Sequence, residues 1–187
     1  MAEILPVRIF ARQHGLGCAF TLNPFAMHRI LLTLTLALLL AGTLRGQTAD
    51  LYDPLADAAA QIDSAVAQAQ VTGRHVMLQI GGNWCVWCHR FHAFYTQDTS
   101  LDSIMQANYV VLRVNYSREN TNAAVLARLD YPQRFGFPVF VVLDGKGARL
   151  HTQDSALLES GGGYDRDKVR QLLLQWGPAA LDPERYK

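Results

Sequence analysis

Three short apolar runs, His75 to Ile80, Tyr109 to Asn115 and Val139 to Leu143, constrain this chain more than any other feature. They are rich in β-branched residues, and turn-formers such as Gly73, Gly81-Gly82-Asn83, Pro138 and Asp144-Gly145 bound them, so they read as strands. The first two lack a polar alternation, which predicts burial on both faces. Leu55, Ala58, Ala59, Ile62, Val66 and Ala69 recur at helical spacing and predict an amphipathic helix from Pro54 to about Gln70, with Pro54 in its first turn and Gly73 closing it. A second helix is expected from the cysteines at 85 and 88 to about Tyr95, with Cys88, Phe91 and Tyr95 on one face. Asp98-Thr99-Ser100 should cap a short helix through Gln106, and a further helix is expected over Glu119 to Leu129, ended by Tyr131-Pro132. Asp144 to Gly147 reads as a hairpin turn leading into Ala148 to Thr152. Gly161-Gly162-Gly163 reads as a flexible joint. The last helix is expected from about Asp165, with Val169, Leu172, Leu173 and Trp176 on one face, until Gly177-Pro178 stops it.

The first fifty residues differ in kind. Ile30 to Ala41 is an unbroken stretch of apolar residues and threonines, preceded by His28-Arg29 and followed by small or polar residues. This is the layout of a secretory signal, and the run falls short of the about 20 apolar residues that a membrane-spanning helix needs. Met27 directly precedes the basic pair. Translation is therefore expected to start there, which makes residues 1–26 an over-long N-terminal extension, residues 27–49 a signal peptide and residues 50–187 the mature domain. Cleavage is expected after Gly46 or Ala49. The mature chain is then expected in the periplasm or secreted, with no stable membrane span.

Trimming sharpens the cysteine count. Cys18 leaves with the leader, so the mature chain keeps Cys85 and Cys88 alone. An exported domain of this size with a single possible bridge is not held together by cross-links, so the pair is expected to be reactive rather than an inert loop closure. From Asp50 onward 13 Lys and Arg face 15 Asp and Glu, a balance of −2 without a basic stripe, which argues against nucleic acid as a partner.

The chemistry concentrates in Trp84-Cys85-Val86-Trp87-Cys88-His89. Disulfide exchange needs a thiolate, and an isolated cysteine with a pKa of about 8.5 is mostly protonated at neutral pH. A helix N-terminus stabilises the anion through its unpaired N–H groups and its dipole. Cys85 is placed there, and the spacing of three sets Cys88 one turn along the same face. Cys85 is therefore assigned as nucleophile and Cys88 as resolving thiol. Trp84 reads equally as a recognition surface beside the thiols and as a packing residue.

The element order, the Trp-Cys-x-x-Cys after the first strand and Gly136-Phe137-Pro138 opening the third strand together resemble the thioredoxin superfamily. The resemblance extends over about residues 54 to 177 and is greatest to exported thioredoxin-like domains, including the soluble redox domain of bacterial thiol:disulfide interchange proteins. It implies an α/β thioredoxin-like fold with a central mixed β-sheet of about four strands flanked by helices. It also implies thiol:disulfide oxidoreductase activity without a cofactor, in the reductase or interchange direction, on client proteins with disulfides or thiols, and with a separate redox partner protein. It implies a cis peptide bond before Pro138, so that Phe137 and Pro138 line the substrate side of the cysteines together with Trp84. Two departures stand out. Members of the family commonly place a buried carboxylate six residues before the first cysteine, where this chain has Gln79, which cannot act as a base. The dipeptide Val86-Trp87 is neither of the familiar ones, so Val86, Trp87, His89 and Gln79 are expected to modulate the redox poise.

Two other readings share these residues. Cys85-x-x-Cys88-His89 is also the attachment signature of c-type haem, a group fitted outside the cytoplasm. The strand content argues against that reading, since cytochrome domains are mostly helical. Cys85, Cys88 and His92 also form a partial ligand set for Zn or Cu(I). Such a set is incomplete, and no metal is assigned.

Overall fold

The computed structural model describes residues 50–187, so the expected extension (1–26) and signal peptide (27–49) lie outside the described residues. Helix α1 spans Ala58–Thr72. It starts later than the sequence predicts because Asp57, not the Pro54 turn, satisfies its first donors: the carboxylate accepts the N–H of Ala59 at 3.0 Å and of Ala60 at 3.1 Å. Asp53 closes a separate turn over Pro54 by accepting the N–H of Leu55, and Leu55, expected on the buried face, is exposed. Gly73 ends α1 in the left-handed region, at φ 65°.

Strand β1 (His75–Gly81) follows and is buried along its whole length. Helices α2 (Val86–Gln97) and α3 (Thr99–Asn108) lead to strand β2 (Tyr109–Asn115), with Asp98 capping α3 as expected. β2 pairs with β1 in parallel, His75 opposite Tyr109 through Gly81 opposite Asn115. The expectation that β2 is buried on both faces holds only for its ends. Val111, Leu112 and Arg113 are half-buried because β2 lies at the edge of the sheet.

The helix expected over 119–129 is shorter, and α4 spans Ala123–Arg128. Asparagines divert the preceding segment: Asn122 is left-handed at φ 49° and its side-chain amide donates to the Asn115 carbonyl at 2.7 Å, while Asn120 bonds to Ser117. Strands β3 (Val139–Leu143) and β4 (Arg149–Asp154) complete a mixed sheet of order β2-β1-β3-β4, with β3 antiparallel to both neighbours. Gly161 and Gly162 form the turn of a small hairpin between β5 (Glu159–Ser160) and β6 (Gly163–Tyr164). Helix α5 (Arg166–Gln175) ends the regular structure, capped by Asp165.

The sheet divides the interior into two layers. Val76, Leu78 and Ile80 of β1, with Val139 and Val141 of β3, pack against Ile62, Ala65 and Ala69 of α1. Met77 and Phe140 face the other way, against Phe91 and Tyr95 of α2, Leu101 of α3 and Val169 and Leu173 of α5. No helix among the described residues is long and apolar enough to cross a membrane.

Asp98 also pairs with Arg166 at 2.6 Å, tying the start of α3 to the start of α5. That guanidinium, with the two capped N–H groups, holds the Asp98 carboxyl below its ordinary value. A depressed carboxyl contributes stability above its unfolded pKa and loses it as the pH falls. Asp98→Asn keeps the cap and loses the charge, so it should be less stable than the parent near neutrality. Urea unfolding from pH 7 to pH 3 should show the gap closing below about pH 4; a gap independent of pH would contradict this.

Candidate active site

Gly81 ends β1, and the chain turns through Gly82-Asn83-Trp84 into α2. Cys85 is the residue that caps this helix. Its Sγ accepts the N–H of Cys88 at 3.1 Å, a donor shared with the Cys85 carbonyl, so an N–H of the first helical turn points at sulfur. Cys85 and Cys88 form a disulfide with Cα atoms 5.2 Å apart. Cys88 is 0% exposed and Cys85 is 4% exposed, so of the two only Cys85 touches the surface.

Cys88 sits directly over Gly81. A Cβ on Gly81 would collide with the Cys88 sulfur and come within 2.9 Å of the Tyr52 hydroxyl, so glycine is needed here for close approach rather than for conformation. Gly82 serves the neighbouring contact, since a Cβ there would lie 2.6 Å from the Tyr116 carbonyl.

The expected substrate-side residues come together. The Phe137-Pro138 peptide bond is cis, as the resemblance implies. Phe137 packs against the cysteine pair, meets the Trp84 ring edge-on at 5.4 Å and stacks on Tyr116 at 4.7 Å. Trp84 is both tethered and exposed. Its indole N–H donates to the Tyr116 carbonyl at 2.7 Å, which fixes it, and its ring remains 56% exposed, which leaves a face for a partner. A cleft of about 790 Å³ opens on its far side, lined by Asn83, Tyr116, Arg118 and Glu119 among others.

The residues between and after the cysteines diverge. Val86 is exposed, whereas Trp87 is half-buried, with its ring edge-on to Tyr164 and the Arg90 guanidinium over it. The His89 ring turns back, its Nε2 3.1 Å from the Asn83 carbonyl, so that nitrogen carries the proton and donates. An imidazole tied to the backbone, beside two sulfurs that are buried and bonded to each other, is a poor match to a haem attachment site. His92 is not brought to the cysteines either. Its Nδ1 accepts from the Arg113 guanidinium at 3.0 Å, and burial together with that positive charge pushes the imidazole pKa down. Among the described residues no group of three metal-ligating side chains converges.

Gln79 lies beneath the pair as expected, at 1% exposure. Its amide N–H donates to the Cys88 carbonyl at 3.2 Å, which tethers α2 to the central strand. Two residues not assigned from sequence complete the site. Tyr52, in the segment before α1, is buried in one apolar cluster with the two cysteines. Asn83 clamps that segment, accepting the Tyr52 N–H at 2.9 Å and donating to the Tyr52 carbonyl at 2.8 Å. The sequence signal for this was an asparagine in a glycine turn and an aromatic residue shortly before the first helix.

A dithiol/disulfide pair at a helix start, faced by a cis-proline loop on a mixed sheet, defines a redox domain of the thioredoxin type. Comparison with known proteins agrees. Residues 57–145, a little under half of the chain, match a family model described as thioredoxin-like. It is 30% identical over 87 residues to the thiol:disulfide interchange protein DsbD of Salmonella typhi; the match covers 46% of this chain and 14% of that protein. Among solved structures it is similar to a disulphide isomerase from Xylella fastidiosa Temecula1, with a TM-score of 0.57 and 20% identity over 67% of this chain and 95% of that one. That likeness shows the fold. A further match is the oxidised C-terminal domain of DsbD from Neisseria meningitidis, with a TM-score of 0.48 and 17% identity over 65% of this chain and 97% of that one.

The Gly81 contact is open to a direct test. Gly81→Ala should destabilise the oxidised protein by about 2 kcal/mol, the usual cost of forcing extra volume into a packed interior, as read by urea unfolding. Wild-type stability in that variant would show that the sulfur and the phenol can move aside.

Proposed function

We propose that this domain is an exported thiol:disulfide oxidoreductase acting through Cys85 and Cys88, in the reductase or interchange direction. The observation that carries the reading is the capping geometry: the Cys85 sulfur receives the Cys88 N–H at the start of α2. In the dithiol form the same donor and the helix dipole favour a thiolate at Cys85. The slight exposure of Cys85 and the full burial of Cys88 support nucleophile and resolving roles in that order.

The Cys85 thiolate attacks a client disulfide, one client sulfur leaves as thiolate, and a mixed disulfide forms. Cys88 then attacks the Cys85 sulfur and releases the second client sulfur, leaving the pair oxidised and the client reduced. A separate redox partner protein returns the electrons. Trp84, Phe137 and Pro138 are read as the surface that receives an extended client segment, because they border the exposed edge of the pair. Val86, Trp87, His89 and Gln79 are read as tuning the potential through their contacts with α2 and the turn. The thiol:disulfide interchange for which the Salmonella typhi relative is named supports this activity for the stretch it shares with this chain. The apolar stretch Ile30 to Ala41 supports export to the periplasm or beyond.

Trapping separates the two cysteine roles. Cys88→Ser should accumulate mixed disulfides with client proteins, visible on non-reducing gels, and Cys85→Ser should not. Equal trapping by both variants would overturn the assignment. Export is tested separately by N-terminal sequencing of the protein recovered from cells, which should begin after Gly46 or Ala49; recovery of residues that precede Met27 would contradict the expected start.

A further inference from the structure

Four buried side-chain polar atoms among the described residues lack a hydrogen-bond partner, and two of them, the Tyr52 hydroxyl and Gln79 Oε1, lie beneath Cys88. A third, Nε of Arg113, belongs to the residue opposite Gln79 across the β1–β2 pairing. A buried hydroxyl without a partner is costly, by about 1–3 kcal/mol, and one held in place by a dedicated clamp calls for a reason. Asn83 provides that clamp through both its amide groups, and Asn83 is itself part of the turn that presents Cys85.

The carboxylate that the resemblance leads one to expect is absent in structure as well as in sequence, since no Asp or Glu side chain is buried among the described residues. The titratable and charged groups that act on the Tyr52 hydroxyl are Arg113 from β2, Tyr95 from α2 and Tyr164 from β6. β1 contributes only the neutral Gln79, whose N–H is already committed to the Cys88 carbonyl. The Tyr52 hydroxyl makes no hydrogen bond of ordinary length and angle; it faces the Gln79 side chain and shares with the Cys88 sulfur the space over Gly81.

Resting on the oxidoreductase reading above, we propose that Tyr52 is a positioning residue for the resolving step, its hydroxyl donating a hydrogen bond to the Cys88 sulfur once the disulfide opens. In the mixed disulfide, Cys88 loses its proton to solvent and the Tyr52 O–H holds the resulting thiolate. The Cys88 sulfur attacks the Cys85 sulfur, the bond between Cys85 and the client breaks, and its electron pair leaves on the client sulfur, which takes a proton from solvent. Hydrogen-bond donation to the anion thus replaces proton abstraction by a buried base. Burial pushes the Tyr52 phenol well above its ordinary value, against smaller opposing effects of Gln79 and the Arg113 guanidinium, so the hydroxyl keeps its proton and remains a donor. In the disulfide form the hydroxyl makes no bond to sulfur and faces the Gln79 side chain.

The test is the reaction of the reduced protein with dithiobis-nitrobenzoate, an aromatic disulfide whose coloured thiolate is released twice. The first release reports attack by Cys85, and the second reports resolution by Cys88. Tyr52→Phe should leave the first phase unchanged and slow the second about tenfold at neutral pH, with its pH midpoint raised by about one unit. Its disulfide form should melt at or above the wild-type temperature, since only an unpartnered oxygen is lost. A second phase within about twofold of wild type overturns the proposal, because a hydrogen bond to a charged sulfur is worth more than that. Slowing of both phases with a lowered melting temperature also overturns it, by showing a packing role. A wild-type protein that gives no second phase defeats the oxidoreductase reading itself, which distinguishes that failure from this one.

Discussion

Strand β1 is paired on both edges and covered on both faces, and the rest of the domain is arranged by that constraint. Its backbone groups are taken up by β2 on one side and β3 on the other, so its side chains alone decide what packs against it. Val76, Leu78 and Ile80 commit one face to α1, while Met77, Gln79 and Gly81 commit the other to α2. The second face becomes less bulky and more polar toward its C-terminal end, and the cysteines sit at that end. Gly81 lets the Cys88 sulfur reach the sheet, and Gln79 is tolerated in the interior because its amide meets the carbonyl of the same cysteine.

The two cysteines consequently occupy unlike surroundings three residues apart. Cys85 caps the helix, receives a backbone donor and touches the surface between Trp84 and the Phe137-Pro138 loop. Cys88 is enclosed by Gly81, Tyr52 and Gln79. Packing thereby separates a sulfur that meets a partner from one that meets only its neighbour. The aromatic residues are fixed by the backbone rather than by each other alone, with the Trp84 indole bonded to the Tyr116 carbonyl and the Tyr164 hydroxyl to that of Trp87. Around the pair, the rigid parts are therefore polar tethers and the variable parts are exposed faces.

Much of this was legible in the sequence because it depends on local rules. The three strands came from runs of β-branched residues, the start of α3 from Asp98, the end of α1 from Gly73 and the helix placement of the cysteines from the glycine turn before them. The errors arose where two local signals competed. Pro54 reads as a helix start, but Asp53 closes a separate turn over it and Asp57 caps the helix, which leaves Leu55 outside. Asn120 and Asn122 satisfied loop backbone that a longer helix would have used, which cut α4 to Ala123–Arg128.

By itself, the sequence determined the class of fold and the identity of the redox pair, since periodicity, breakers and the spacing of Cys85 and Cys88 are properties of neighbours along the chain. The tertiary structure alone decided what surrounds each sulfur. Tyr52 lies 36 positions before Cys88, and it reaches that cysteine through an asparagine clamp, a glycine gap and the register of a central strand. Each of these is a contact between segments distant in sequence, made by the closing of the interior, and no periodicity along the chain records it.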